Sequence, residues 1–265
     1  LQGGTNCEVV DSRISGVACR ALDVSGGATT RLTPGNHSIR SNLIHSYARI
    51  HRTYNPGIAW GGVGNHFVRN TNVTLRTQQY LAVACVIFES IPPALVPQAP
   101  VHDADAAANG CMQDLNLFEY NIIERVAYEV ADAGAFYTGR SWVQRGNVVQ
   151  HNQFRSIRTR VPVFLGAPSV QAIYLDDQVS GFGALLVVLK ANNTVNTLSQ
   201  MSGFTVFNNS FEDCQVGMFI GGGRRNAVLN NTFRACDTAV HFDSRGVGCY
   251  DTHCYPNCPG NCAAD

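Results

Sequence analysis

The sequence predicts an all-β solenoid, a right-handed parallel β-helix forming a single domain, and three observations carry that prediction. The chain echoes itself: "FNNSFEDCQVGMFI" from Phe207 returns 22 residues later as "LNNTFRACDTAVHF" from Leu229. A unit of β-prone run, Asn, polar residue and apolar residue recurs, at gaps of 31, 28, 51, 31, 57 and 22 residues. The runs between these units alternate apolar with polar instead of following a helical 3.6-residue period. Leucine-rich repeats share the period, but their leucine spacing is absent.

Taken along the chain, the units are "VVDSRI" at Asp11, "RSNLI" at Asn42, "VRNTN" at Asn70, "FEYNII" at Asn121, "VQHNQF" at Asn152, "VFNNSF" at Asn209 and "VLNNTF" at Asn231. Each is one coil of three short strands. The repeated Asn is expected to take the left-handed backbone of a tight bend and to hydrogen-bond to the Asn above and below. Cys214 and Cys236 lie one coil apart, so they are expected about 4.8 Å from each other as a buried thiol ladder.

The two long gaps each hold an apolar stretch without the repeat, Val73 to Gln98 and Val179 to Gln200. Removing them leaves gaps of about one coil. Both begin with Val and end with Gln, residues compatible with GT and CAG, so they read either as surface loops or as translated introns. The repeat domain is drawn over 1–248, with these insertions at 73–98 and 179–200, and a Cys-rich tail follows over 249–265.

Composition bounds the function. Apolar residues make up 45% and charged residues 14%, enough for a core, and the formal net charge is zero. That balance gives no electrostatic case for nucleic acid or an anionic membrane surface. The longest apolar runs, "YLAVACVIF" and "FGALLVVL", are far shorter than the roughly 20 residues that span a bilayer. Cys249, Cys254, Cys258 and Cys262 crowd the tail at intervals unlike paired zinc ligands, which favours disulfides. Sequons at Asn36, Asn72, Asn192, Asn208 and Asn230 agree with a secreted protein.

Alternation also locates candidate chemistry. With the coils in register, Tyr137, Tyr174, Phe219 and His241 form one outward column, and Gly139, Asp176, Gly221 and Asp243 form the next. Asp177 falls at the following bend near Arg140. Aromatic rings, carboxylates, arginines and space-giving glycines on one wall describe a carbohydrate cleft. Glycoside hydrolysis needs two carboxyl groups, one protonating the leaving oxygen and one attacking or activating water. Asp132 in "VADAGAFYTGR" and Asp176 or Asp177 in "IYLDD" are the candidates, with Glu129 in support. The Asp-Asp pair equally suits turn amides, and as hard oxygen ligands it suits calcium, though no cofactor is required. His151 precedes a ladder Asn and reads as a bend residue. "IGGGRR" at Ile220 is followed by no helix, so it is not a phosphate loop.

The segments "DAGAFYTGRSW", "RGNVVQHNQF", "IYLDDQ", "FIGGGRRNAVLNNTF" and "VHFDSRG" resemble the right-handed β-helix glycoside hydrolases that include α-L-fucosidase and xylanase members. The resemblance runs from about Arg31 to Gly248 outside the two insertions. It implies catalysis by two aspartates on the helix wall, matched here by Asp132 and by Asp176 or Asp177. It implies a polysaccharide or oligosaccharide substrate, with Tyr137, Arg140, Trp142, Tyr174, Arg224, His241 and Asp243 lining the cleft. Members of that group are longer, so the N-terminal coils are expected to be missing. A polysaccharide lyase with an Arg base such as Arg140 or Arg224, and a non-catalytic glycan-binding solenoid, remain alternatives on the same wall.

Overall fold

The computed structural model describes residues 1, 3–28, 33–50, 55–73, 81–82, 113–130, 132–139, 146–160, 170–176, 187–191, 194–198, 204–221 and 226–243. Among the described residues all regular structure is β, and most of it is a repeating stack of parallel strands. One sheet of seven strands runs from Glu8–Val10 through Ser38–Arg40, His66–Val68, Leu117–Glu119, Asn147–Gln150 and Phe204–Phe207 to Ala227–Leu229. A second sheet of seven runs from Arg13–Ser15 through Leu43–His45, Thr71–Val73, Ile122–Glu124, Gln153–Arg155 and Ser210–Glu212 to Thr232–Arg234. A third stacks Leu81–Ala82, Ala133–Gly139, Val170–Asp176, Val216–Gly221 and Thr238–Asp243. From His66–Val68 onward each coil gives one strand to each sheet in turn, and the two coils before it contribute to the first two sheets.

The pairing register is constant from coil to coil, so like residues pile into columns. Ile39, Phe67, Phe118, Val149 and Val206 form one buried column, and Ile44, Ile123, Phe154 and Phe211 another. Stacked rings show how tightly the layers meet. Phe154 and Phe211 lie 5.1 Å apart and nearly parallel, and Phe211 and Phe233 lie 4.7 Å apart. Burying such a ring contributes roughly 1.5–3 kcal/mol, so these columns are the main stabilising term. Asn72 occupies the register between Ile44 and Ile123. Of the other sequons, Asn36, Asn208 and Asn230 are exposed.

The asparagine ladder forms as expected. Asn42 donates through Nδ2 to Asn70 Oδ1 at 2.9 Å, and the same bond links Asn70, Asn121, Asn152, Asn209 and Asn231 at 3.0–3.1 Å. Each Asn backbone N–H reaches the same oxygen, and the second Nδ2 hydrogen goes to a carbonyl one coil back, such as Phe67 O from Asn121. The expectation that these Asn residues take the left-handed backbone is corrected. Positive φ belongs to the residue before each of them: Ser41, Arg69, Tyr120, His151, Asn208 and Asn230, at 50–57°. From Ser41 to Asn208 their N–H groups each bond a carbonyl of the next coil, as Ser41 does to Val68 O at 3.0 Å. The strain of about 1–2 kcal/mol per such residue is offset by that bond and by the ladder.

The two stretches read as insertions differ in kind. Thr71–Val73 is an ordinary second-sheet strand, and Leu81–Ala82 pair with Phe136–Tyr137 in the third sheet. The first stretch thus contributes to a coil at both places where it is described. Within the second, Val187–Ala191 and Thr194–Leu198 form an antiparallel hairpin separate from the three stacked sheets.

Candidate functional site on the outer wall of the third sheet

The third sheet is the wall on which the predicted residues gather. Its register pairs Tyr137 with Tyr174, Tyr174 with Phe219, and Phe219 with His241. The rings contact edge to face, with centroids 5.3, 4.9 and 4.8 Å apart. Edge-to-face contact is the favoured arrangement for aromatic quadrupoles, so the column holds itself in line. It packs apart from the main core, with Val216 beside it.

Tyr174 and Phe219 are only 2% and 1% exposed although they stand opposite the inward Ile173 and Leu175. Tyr174 was expected to face substrate. Its hydroxyl instead donates to Asp132 Oδ1 at 3.2 Å. The contact exists because the strand comes in close at Gly134, where an added Cβ would lie 2.6 Å from Tyr174 Cβ. Asp132 sits just before this strand, exposed and at φ 52°, a conformation Asp tolerates better than most residues. The wall thus presents one carboxylate whose orientation is fixed by a buried phenol. Tyr137 is half-buried and His241 exposed, so they are the ring surfaces of this column open to solvent.

One residue pair further along the strands, Gly139 is in register with Asp176 and Gly221 with Asp243. Backbone position therefore puts both aspartates in one column between glycines. Asp132 and Asp176 fall on either side of Tyr174, the first at its hydroxyl and the second two residues along its strand. Asp177, Arg140, Trp142 and Arg224 lie outside the described residues, as does the tail with Cys249, Cys254, Cys258 and Cys262. Among the described residues no group of three His, Cys, Asp or Glu side chains could hold a metal ion, and no helix is long and apolar enough to cross a membrane.

Other polar clusters have structural accounts. Arg158 bonds Asp213 at 2.6 Å and Asp237 at 2.8 and 3.0 Å, tying successive coils at one corner. The Arg158 hydrogen bonds hold both carboxyls below the ordinary range. Cys214 and Cys236 are free thiols, one coil apart and bonded to backbone carbonyls. Burial, with Cys236 beside it, pushes the Cys214 thiol well up, which makes it inert.

A second ladder runs five residues ahead of the first. Asn65 accepts at Oδ1 from the His37 N–H, Asn116 from Asn65 N–H and Asn147 from Asn116 N–H, at 2.9–3.2 Å. Its signal was in the sequence as Asn pairs five residues apart, at 65 and 70, 116 and 121, 147 and 152, and 226 and 231.

No protein-family model, curated protein or solved structure matches the chain.

Proposed function

We propose that the chain is a right-handed parallel β-helix that takes an oligosaccharide along the outer wall of its third sheet and hydrolyses it. Right-handedness is supported by the general rule that crossovers between parallel strands of one sheet are right-handed in about 98% of cases. The observation that carries the functional reading is Asp132, an exposed carboxylate held by the buried Tyr174 hydroxyl beside the Tyr137–His241 ring column.

In this reading Tyr137 and His241 pack against sugar faces, and Asp132 works with Asp176 or Asp177. One carboxyl protonates the glycosidic oxygen while the other attacks the anomeric carbon or activates water. Arg140, Trp142, Arg224 and Asp243 complete the cleft. The substrate in this reading is a plant or algal sugar met outside the cell.

Product analysis on a panel of plant and algal polysaccharides tests it, comparing the wild type with Asp132→Asn and Asp176→Asn. The reading expects saturated reducing sugars that fall at least about a hundredfold in either variant. Unsaturated products would reassign the wall to a lyase, and binding without products to a non-catalytic glycan-binding solenoid.

A further inference from the structure

One joint of the second ladder is made by a histidine. Asn65, Asn116, Asn147 and Asn226 each accept at Oδ1 a backbone N–H from the coil before, those of His37, Asn65, Asn116 and Phe204. His37 holds the same place between its own coil and the coil of Glu8–Val10, and there its Nδ1 accepts the N–H of Cys7 at 3.2 Å. A backbone N–H can only donate, so Nδ1 carries no hydrogen and the ring's one N–H is at Nε2. That nitrogen is fully buried and has no hydrogen-bond partner among the described residues. It points at Gly26, where an added Cβ would collide with it.

An amide oxygen accepts at any ordinary pH, whereas a ring nitrogen stops accepting once it is protonated. A proton on Nδ1 would face the Cys7 N–H donor to donor. It would also leave a positive charge in a fully buried place with no acidic partner on either ring nitrogen. The charged ring is therefore compatible only with a joint that has opened to water. We propose that His37 makes the joint between the first two described coils an acid-sensitive latch, closed over the neutral ring and released when the ring is protonated. In water an imidazole takes up a proton below about pH 6.5, so the open joint binds a proton that the closed one does not hold. The latch is at full strength above that pH and weakens as pH falls.

The other ionisable groups at the joint lie on its outside. Glu8 pairs with Arg40 at 3.5 Å, and Arg13 donates through Nε to His45 Nε2 at 3.0 Å, all four within reach of water. On the strand of the next coil His66 is exposed, and three residues before Gly26 Asp23 pairs with the exposed Arg20 at 3.0 Å. The thiol of Cys7 is bonded to Thr5 O. Water already competes for these surface contacts, so their titration changes the joint less than that of the sealed ring. At the neighbouring corner of the same joint Ser12 N–H goes to Asn42 Oδ1 at 3.0 Å, a bond that does not titrate. Release therefore begins at the Cys7 corner.

Amide hydrogen exchange on the intact chain at about pH 7.5 and 5.5 tests the proposal, with each rate expressed as protection relative to the free-peptide rate at that pH. Protection of the Cys7 amide should fall about tenfold between the two. The amides of Asn65 and Asn116, which are donated to asparagines further along the same ladder, should hold. His37→Asn places the ladder's own residue at the joint and should make Cys7 as insensitive to pH as Asn65. A Cys7 amide whose protection does not change with pH overturns the proposal. An equal fall at Asn65 and Asn116 also overturns it, because the whole stack then loosens in acid. A fall at Cys7 that persists in His37→Asn does the same, by assigning the effect to the exposed His45 or Glu8 contacts. If the variant does not fold, the contrast between Cys7 and Asn65 in the wild type still decides.

Discussion

Asn121 illustrates how one residue holds three layers. It donates to Phe67 O on the coil before and to Asn152 on the coil after, and it accepts twice from Asn70. Truncating it leaves buried donors and acceptors on both neighbours without partners, at about 1–3 kcal/mol for each such group. Asn121→Ala should therefore destabilise the protein by about 3 kcal/mol or more in equilibrium denaturation. Asn231→Ala removes two bonds accepted from Asn209 and one donated to Val206 O, but Asn231 is only half-buried and water reaches the groups left behind, so it should cost less, about 1–2 kcal/mol. Equal costs would mean that burial of the ladder is not what sets its strength. At this scale the ladder was legible because the repeat exposes its period. The bend residues were not, because Arg69, Tyr120 and His151 are unusual in the left-handed region and only the cross-coil bonds explain them. The second ladder is hard to read in the sequence for a different reason. Its members stand five residues ahead of the first and break at Phe204, which occupies the ladder position but offers no oxygen.

At the scale of elements, strand alternation carries most of what the sequence made readable. It places Tyr137, Tyr174, Phe219 and His241 in one column, and the third-sheet register pairs them so. It does not reveal that Tyr174 turns its hydroxyl to Asp132, because that contact depends on how closely the strand approaches at Gly134. The coils are also clamped from outside. On the second sheet Glu124, Arg155, Glu212 and Arg234 alternate in sign along one column, and Arg234 meets Glu212 at 3.1 Å. At the next corner Arg158 bridges Asp213 and Asp237. Both carboxyls are held below their ordinary value, chiefly by hydrogen bonds from Arg158. A lowered folded-state value means that stability is present above about pH 4 and is lost as pH falls through the folded values. These groups are substantially exposed, so Arg158→Ala should cost no more than about 1 kcal/mol at pH 7. The difference between variant and wild type should shrink as pH drops below about 4. A difference that persists unchanged at low pH would assign the loss to packing of the Arg158 stem.

For the whole molecule, a rigid stack of layers presents side chains at intervals of about 4.8 Å on a flat wall, which suits an extended ligand better than a compact one. The same corner-to-corner regularity provides an internal control, since Tyr120 and His151 stack at 4.9 Å on a different corner of the coils. Saccharide binding to the intact chain, measured by affinity electrophoresis in polysaccharide gels, separates the two surfaces. The account predicts that Tyr137→Ala and His241→Ala weaken binding about tenfold or more, a loss of about 1.4 kcal/mol each, while Tyr120→Ala leaves it unchanged. Equal retardation of all three variants, or a loss confined to Tyr120→Ala, would contradict the assignment of the third-sheet wall as the saccharide site.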